Sequence, residues 1–384
     1  MHRTGNVIPE EEEQRRSVWE KNTLLIKAHN LEYEQGMHSY QPGMNHLGDM
    51  WLRRRPAWWF LRPDNNTFAL DDIATKLPKA IDYRLLGYVT PVINQEEEEQ
   101  RRSVWEKNTL LIEAHNLEYE QGMHSYQPGM NHLGDMTAEE VAEKMTSLVV
   151  PQARETNNTF ALDDIATKLP KAIDYRLLGF VTPVINQGRC GSCWAFSVSG
   201  AMEGLMKRQT GKLVPLSPQN LLDCSSSYGN LGCNGGYLSK TFRYIIENKG
   251  IDSDSSYPYE SREGKCRYSV RGRAGYCWGF QILRRGDERA LQVAVANVGP
   301  VSVSINALPS FQSYRGGVYD DPSCSSAETN HAVLVVGYGT DRGKDFWLVK
   351  NSWGTDWGES GFVRMARNRN NQCGIANRPM YPTM

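Results

Sequence analysis

The 384-residue chain has no long apolar run: its purely aliphatic stretches last only a few residues, as in Val333-Leu334-Val335-Val336, which excludes a membrane-spanning helix. It also lacks an excess of charge. Its 43 Lys and Arg face 44 Asp and Glu for a net charge of -1, which argues against a general nucleic-acid binder or a polybasic membrane protein. An apolar leader is missing too. Met1-His2-Arg3-Thr4-Gly5-Asn6-Val7-Ile8 runs straight into Glu10–Glu13, so no signal peptide is visible. Cysteine is absent from the first 189 residues. All eight lie beyond: Cys190, Cys193, Cys224, Cys233, Cys266, Cys277, Cys324 and Cys373. That confinement suggests a disulfide-stapled domain folded in an oxidising compartment. The sequons Asn65-Asn66-Thr67 and Asn157-Asn158-Thr159 are consistent with a secretory route. Hydrophobic residues at 40% suffice for a sizeable core, and length alone suggests two or three domains.

Self-similarity changes the domain estimate. Residues 10–50 recur at 96–136 with one change, Lys27 against Glu113, and residues 65–95 recur at 157–187 with one change, Tyr88 against Phe180. Between these blocks the copies differ completely. The second has Thr137-Ala-Glu-Glu-Val-Ala-Glu-Lys-Met, a helix with an N-cap Thr and an acidic first turn. The first has Trp51-Leu-Arg-Arg-Arg-Pro-Ala-Trp-Trp-Phe-Leu-Arg-Pro, with neither helical period nor strand alternation. Stacked structural repeats diverge while keeping a core pattern and need three or more units. Two near-identical copies with one corrupted insert fit a recent exon duplication or a gene-model artefact better than a functional tandem module.

Within the second copy, Glu97, Arg101, Trp105, Asn108, Ile112 and Asn116 share one face of a helix, with Glu97 and Arg101 at i, i+4. A charged surface helix is the plain reading of the composition; the mixture of Trp, Ile and amides on one stripe suggests docking instead. The stripe resembles the prosegment motif of papain-like cysteine proteases of the cathepsin type, with Trp105 in its aromatic position. Gly129-x-Asn131-x-Leu133-x-Asp135 resembles that family's second prosegment motif, with Leu133 where Phe is usual. The first copy carries both sets, at Glu11, Arg15, Trp19, Asn22, Ile26 and Asn30, then Gly43, Asn45, Leu47 and Asp49.

The strongest motif is Gln187-Gly188-Arg189-Cys190-Gly191-Ser192-Cys193-Trp194. Taken alone, Cys190-x-x-Cys193 reads as half a zinc site, a redox pair, or a disulfide cysteine beside a nucleophile. A zinc site needs a second close pair, and Cys224 and Cys233 are nine apart. Cys-Gly-Ser-Cys-Trp matches the papain and cathepsin signature. Ala195, Phe196, Val198, Ala201, Met202, Leu205 and Met206 recur with helical period up to Gly211, so Cys193 starts a helix whose dipole and free N–H groups favour a thiolate. Only one histidine follows Cys193: His331, 138 residues on, at the head of the strand-like run His331-Ala-Val-Leu-Val-Val-Gly. Asn351 lies 158 residues past Cys193.

The resemblance implies roles for these residues. Cys193 is the nucleophile and His331 its acid-base partner. Asn351 orients the imidazole, with Trp353 shielding that contact, and Gln187 contributes to an oxyanion hole with the Cys193 N–H. It implies the bridges Cys190–Cys233, Cys224–Cys266 and Cys324–Cys373, leaving Cys277 as a half-buried bystander thiol. Gly235 and Gly236 would let substrate backbone approach. Tyr237, Leu238, Ser304, Ala332 and Arg378 would line the pocket for the residue two before the cut, Arg378 standing where the family carries an apolar side chain.

The expected fold is α+β, a papain-like pair of lobes with a helical left half and a β-barrel-like right half, preceded by a mainly helical inhibitory prosegment. Residues 1–95 would be a partial duplicate, 96–169 the inhibitory prodomain and 170–384 the peptidase domain, a cathepsin L-like zymogen on the cathepsin K and S branch. The function implied is cysteine endopeptidase, in the lysosome or outside the cell. Its partners would be protein and peptide substrates, its own prosegment and cystatin-type inhibitors. A monomer is expected, with no metal, organic cofactor, nucleic acid or membrane. Two rivals remain: a silent or trans-acting prosegment-type protease inhibitor, and a Cys-x-x-Cys oxidoreductase, which would need neither His331 nor Asn351.

Overall fold

The computed structural model describes residues 95–146 and 169–384. The first prosegment copy and both sequons lie outside the described residues. The chain divides into two compact units, one ending at His124 and the other running from Ser125 to Met384.

The described part of the first unit is the helix α1, Gln95–Glu120, with Glu96, Glu97 and Glu98 in its first turn. Carboxylates there meet the positive end of the helix dipole. Arg101 pairs with Glu97 at 3.9 Å, and Arg102 with Glu106 at 2.9 Å. Along α1, Arg101 and Ala114 are buried, Arg102, Ser103 and Glu113 are exposed, and Trp105, Asn108, Ile112 and Asn116 of the expected stripe are half-buried like most of their neighbours. Past the helix, Gly122 takes φ 76°, which glycine adopts without steric cost.

The second unit begins with prosegment. Strand β1, Tyr126–Pro128, is followed by α2, Ala138–Lys144. The Thr137 hydroxyl accepts the Glu140 N–H and the Glu140 carboxylate accepts the Thr137 N–H, a reciprocal cap that fixes the start of α2 as the sequence led us to expect.

The remainder is one core built on a long helix and a sheet. Strand β2 is Ile173–Asp174, and α3, Cys193–Thr210, ends at Gly211 with φ 74°. Nearly the whole of α3 is buried, so its apolar residues are a core helix rather than an amphipathic surface one. Then come α4 Pro218–Cys224, α5 Leu238–Glu247, β3 Ile251–Asp252, β4 Arg273–Gly275, β5 Gly279–Ile282 and α6 Glu288–Asn297. The last stretch holds β6 Val301–Ile305, α7 Pro309–Gln312, β7 Tyr314–Tyr319, β8 His331–Asp341, β9 Lys344–Lys350, β10 Phe362–Ala366 and β11 Met380–Thr383.

Nine strands form one sheet in the order β1-β7-β10-β9-β8-β6-β11-β5, with β2 against β8. The pairs are antiparallel except β10 with β7. Among the described residues the path is open, which corrects the expected barrel-like closure. Its two ends are the prosegment strand β1 and the strand β5, which pair elsewhere and not with each other. At the β5 end the sheet is covered by α5, where Phe242 stacks on Phe280 at 5.4 Å. Covering by helices removes apolar sheet surface from water without closing a barrel.

All three expected bridges are present: Cys190–Cys233, Cys224–Cys266 and Cys324–Cys373. Cys277 is outside them and is fully buried rather than half-buried, and burial pushes its thiol up to about 12.

Candidate active site

Cys193 opens α3 and is fully buried. Its sulfur accepts the backbone N–H of Ala332 at 3.4 Å, which ties the head of α3 to the head of β8 beside His331. The His331 Nε2 meets Asn351 Oδ1 at 2.8 Å, and the Ser352 N–H also donates to that Oδ1 at 2.8 Å. An oxygen already accepting one N–H must be facing a donor, so Nε2 carries the ring proton. The indole of Trp353 lies over the imidazole with ring centroids 4.7 Å apart. Burial pushes His331 down to about 4, against the Asn351 hydrogen bond, which favours the charged ring. Burial at this site therefore favours the neutral imidazole.

Gln187 is fully buried and bonded at every polar group. Its Oε1 accepts the Ser352 hydroxyl at 2.6 Å, and its Nε2 donates to Cys190 O at 2.8 Å and to Met145 O at 2.9 Å. Trp353 Nε1 donates to the same Met145 carbonyl at 3.4 Å. A prosegment carbonyl thus sits on the amide N–H that the sequence assigned to an oxyanion. Immediately beyond it the Thr146 carbonyl crowds Gly191, where a Cβ would meet it at 2.7 Å.

The prosegment reaches this point from the far end of the sheet. β1 pairs with β7, with Tyr126 opposite Gly317. The second prosegment motif then fills fixed places. A Cβ on Gly129 would meet the Arg315 side chain at 2.6 Å. Asn131 donates to Gln312 O at 2.9 Å and accepts the Leu133 N–H at 2.9 Å, while Gln312 Nε2 donates back to Leu133 O at 2.6 Å. Leu133 and Asp135 are buried, and His132 Nδ1 meets Asp356 Oδ2 at 2.6 Å.

The remaining expected residues fall at different depths. Ser304 and Ala332 are buried and directly opposed on β6 and β8. Leu238 is buried at the head of α5, and Tyr237 is half-buried with Lys240 Nζ 4.0 Å over its ring. Gly235 has φ 123°. At Gly236 a Cβ would meet the Trp194 ring at 2.5 Å, so this glycine is required by packing on α3 whatever it allows a substrate. Arg378 is half-buried and has no hydrogen-bond or ion-pair partner among the described residues.

Sequence reasoning missed Ser352, whose hydroxyl and backbone hold both Gln187 and Asn351, although it lies inside the motif Asn351-Ser352-Trp353. It also missed a buried pair behind α3. Glu203 accepts Thr182 Oγ1 at 2.7 Å and the Leu216 N–H at 3.0 Å, and Lys350 Nζ donates to Thr182 Oγ1 at 2.9 Å. Burial raises the Glu203 carboxyl and lowers the Lys350 amine, each opposed by the charge of the other. They line a cavity of about 170 Å³ that reaches Asn351 and Ser352. A single charged residue inside a helical or strand pattern carries no mark of its partner.

Residues 169–383 match the papain family of cysteine proteases, and residues 8–52 and 88–141 match the cathepsin propeptide inhibitor domain. Cathepsin S of Bos taurus is 57% identical over 288 residues, covering 74% of this chain and 86% of that protein. Cathepsin K of Mus musculus is 52% identical over 290 residues, covering 75% of this chain and 88% of that protein. Among solved structures, a digestive procathepsin L 3 of Tenebrio molitor larval midgut superposes with a TM-score of 0.72 at 40% identity, over 79% of this chain and 97% of that one. A recombinant stem bromelain precursor gives a TM-score of 0.71 at 36% identity, over 79% of this chain and 97% of that one. With a prosegment carbonyl on the Gln187 amide, this chain belongs to the papain family of cysteine proteases and is a cathepsin-like endopeptidase zymogen carrying its own propeptide inhibitor.

Proposed function

We propose that Cys193, His331, Asn351 and Gln187 carry the hydrolysis, in a peptidase domain of residues 170–384 released from a prodomain of residues 96–169. The supporting observation is the Met145 carbonyl on Gln187 Nε2, a carbonyl oxygen already lodged where a scissile one would sit. Once the prosegment leaves, water and substrate reach the site, and His331 Nδ1 takes the proton of the Cys193 thiol to give a thiolate and an imidazolium. The Cys193 thiolate attacks the peptide carbonyl carbon, and the carbonyl electron pair moves onto oxygen. Gln187 Nε2–H and the Cys193 N–H receive that oxyanion, fixed donors each worth a few kcal/mol. Collapse expels the amine, which takes its proton from the imidazolium. His331 then accepts a proton from water attacking the thioester, and Cys193 is restored. Asn351 keeps Nε2–H engaged throughout, so the ring presents Nδ1 to the reaction.

Tyr237, Leu238, Ser304, Ala332 and Arg378 form the pocket for the side chain two before the cut, with Gly235 and Gly236 beside the substrate backbone and Trp353 over the His331–Asn351 contact. Residues 1–95 are a partial duplicate of the prosegment and the mature N-terminus. The family resemblance supports lysosomal or extracellular action as a monomer, restrained by cystatin-type inhibitors. The test is to acid-activate the protein and titrate it with an irreversible thiol-directed peptidyl epoxide. Stoichiometric labelling at Cys193 with parallel loss of peptidase activity is expected, and Cys193→Ser should be inactive. Peptide cleavage that survives Cys193→Ser would overturn the assignment.

A further inference from the structure

Tyr259 lies in the connection between β3 and β4, outside every motif that carries the chemistry. Its phenol oxygen is 2.8 Å from the backbone oxygen of Gln187 and 2.5 Å from Ser192 Oγ. A carbonyl can only accept, which directs the phenol proton to Gln187 O and leaves the phenol oxygen to accept Ser192 Oγ–H, whose other acceptor, Cys190 O, is farther off at 3.4 Å. Ser261 Oγ gives the same Gln187 carbonyl a second hydrogen bond at 2.7 Å. The Tyr259 ring stands edge-on to Phe196, one turn into α3, at 4.8 Å. Burial pushes the phenol up to about 12, so it keeps its proton at any pH at which the enzyme works.

Gln187 supplies one oxyanion donor through Nε2. The other is the N–H of Cys193, whose preceding residue is Ser192. One hydroxyl thus joins the two chain segments that carry the two donors, and the ring braces it against the helix that starts at the nucleophile. We propose that Tyr259 is a positioning residue for the oxyanion hole: it fixes the spacing between Gln187 Nε2–H and the Cys193 N–H. The proposal rests on the assignment of Gln187 made above. Donors matched to an oxyanion must be placed to a few tenths of an ångström, and displacement weakens them without touching ground-state binding.

The test uses the full chain, acid-activated, with rates referred to sites titrated by thiol labelling. Tyr259→Phe keeps the ring on Phe196 and removes only the hydroxyl. Its kcat should fall about tenfold, below the 10²–10³ typical of losing a donor outright, with KM nearly unchanged. A peptide aldehyde, whose tetrahedral adduct places an oxyanion in the hole, should bind more weakly in proportion. Alkylation of Cys193 by iodoacetamide forms no oxyanion and should keep its rate. Ser261→Ala, which removes the other bond to the same carbonyl, should move kcat the same way by less. In a Gln187→Ala background Tyr259→Phe should add little, because the two act as one unit. Unchanged kcat in Tyr259→Phe, or an alkylation rate that falls as far as kcat, would overturn the proposal. Should Gln187→Ala itself leave kcat intact, the oxyanion assignment would fail rather than the tyrosine's part in it.

Discussion

At the scale of single residues, the covered site depends on keeping His331 neutral. Burial lowers the ring to about 4 from an ordinary 6.5. For a base held below its free value, the closed form binds fewer protons than any form in which the ring meets water. Stability of the closed form therefore rises with pH across about 4 to 6.5 and is lost as pH falls through that window, by about 3 kcal/mol in all. Acid favours whatever opening rehydrates His331. In a Cys193→Ala zymogen, the urea midpoint should drop between pH 7 and pH 4.5. Adding His331→Gln should flatten that drop, since its amide takes up no proton. An equal pH dependence in the two proteins would show that the ring's burial is not what acid acts on. Other carboxylates contribute to both proteins alike, so the difference between them isolates this ring.

At the scale of elements, the register of three strands explains why a distant arginine matters. Ser304 on β6 is opposite Ala332 on β8, and Met380 on β11 is opposite Ser302. Arg378 comes two residues before β11 opens, so the chain carrying it enters the sheet beside the β6 and β8 pair that begins next to His331. Directly opposed residues of antiparallel strands project on the same face. A half-buried guanidinium without a partner among the described residues would suit a substrate carboxylate in the pocket proposed above, although the other residues proposed for it are apolar or small. We expect activity toward peptides with Asp or Glu two before the cut, and Arg378→Leu should shift the ratio of acidic to leucyl kcat/KM by about tenfold, the scale of 1–2 kcal/mol of lost ion pairing. Peptide-library profiles of the two proteins that are superimposable and aliphatic would reject this. The same elements show what could be read from the chain beforehand. The start of α3 at Cys193, its end at Gly211 and the cap at Thr137 follow from local pattern and chemistry, because each signal lies within a few residues of its effect. Tyr259 and Ser352 do not, because each acts through one hydroxyl on residues far along the chain. The open sheet was equally hidden: whether the first and last strands pair is decided by what covers the sheet ends, and no strand's own pattern states it.

On the scale of the whole molecule, the prosegment of the second unit is held at both of its ends. At one end the Met145 carbonyl accepts the Gln187 Nε2–H and the Trp353 Nε1–H. At the other, beyond the Asn131–Gln312 exchange, His132 Nδ1 meets Asp356 Oδ2 at 2.6 Å, with Asp356 about half exposed. Its exposure to solvent keeps this second contact to about 1 kcal/mol. His132→Ala removes it and leaves the Gln187 end untouched. Its zymogen should therefore release the prosegment more readily than the parent at the same pH, with autocleavage faster by about fivefold, the scale of 1 kcal/mol. Autocleavage of the two proteins followed by gel at one fixed pH measures this directly. An unchanged rate would mean that the His132–Asp356 contact does not hold the prosegment in place.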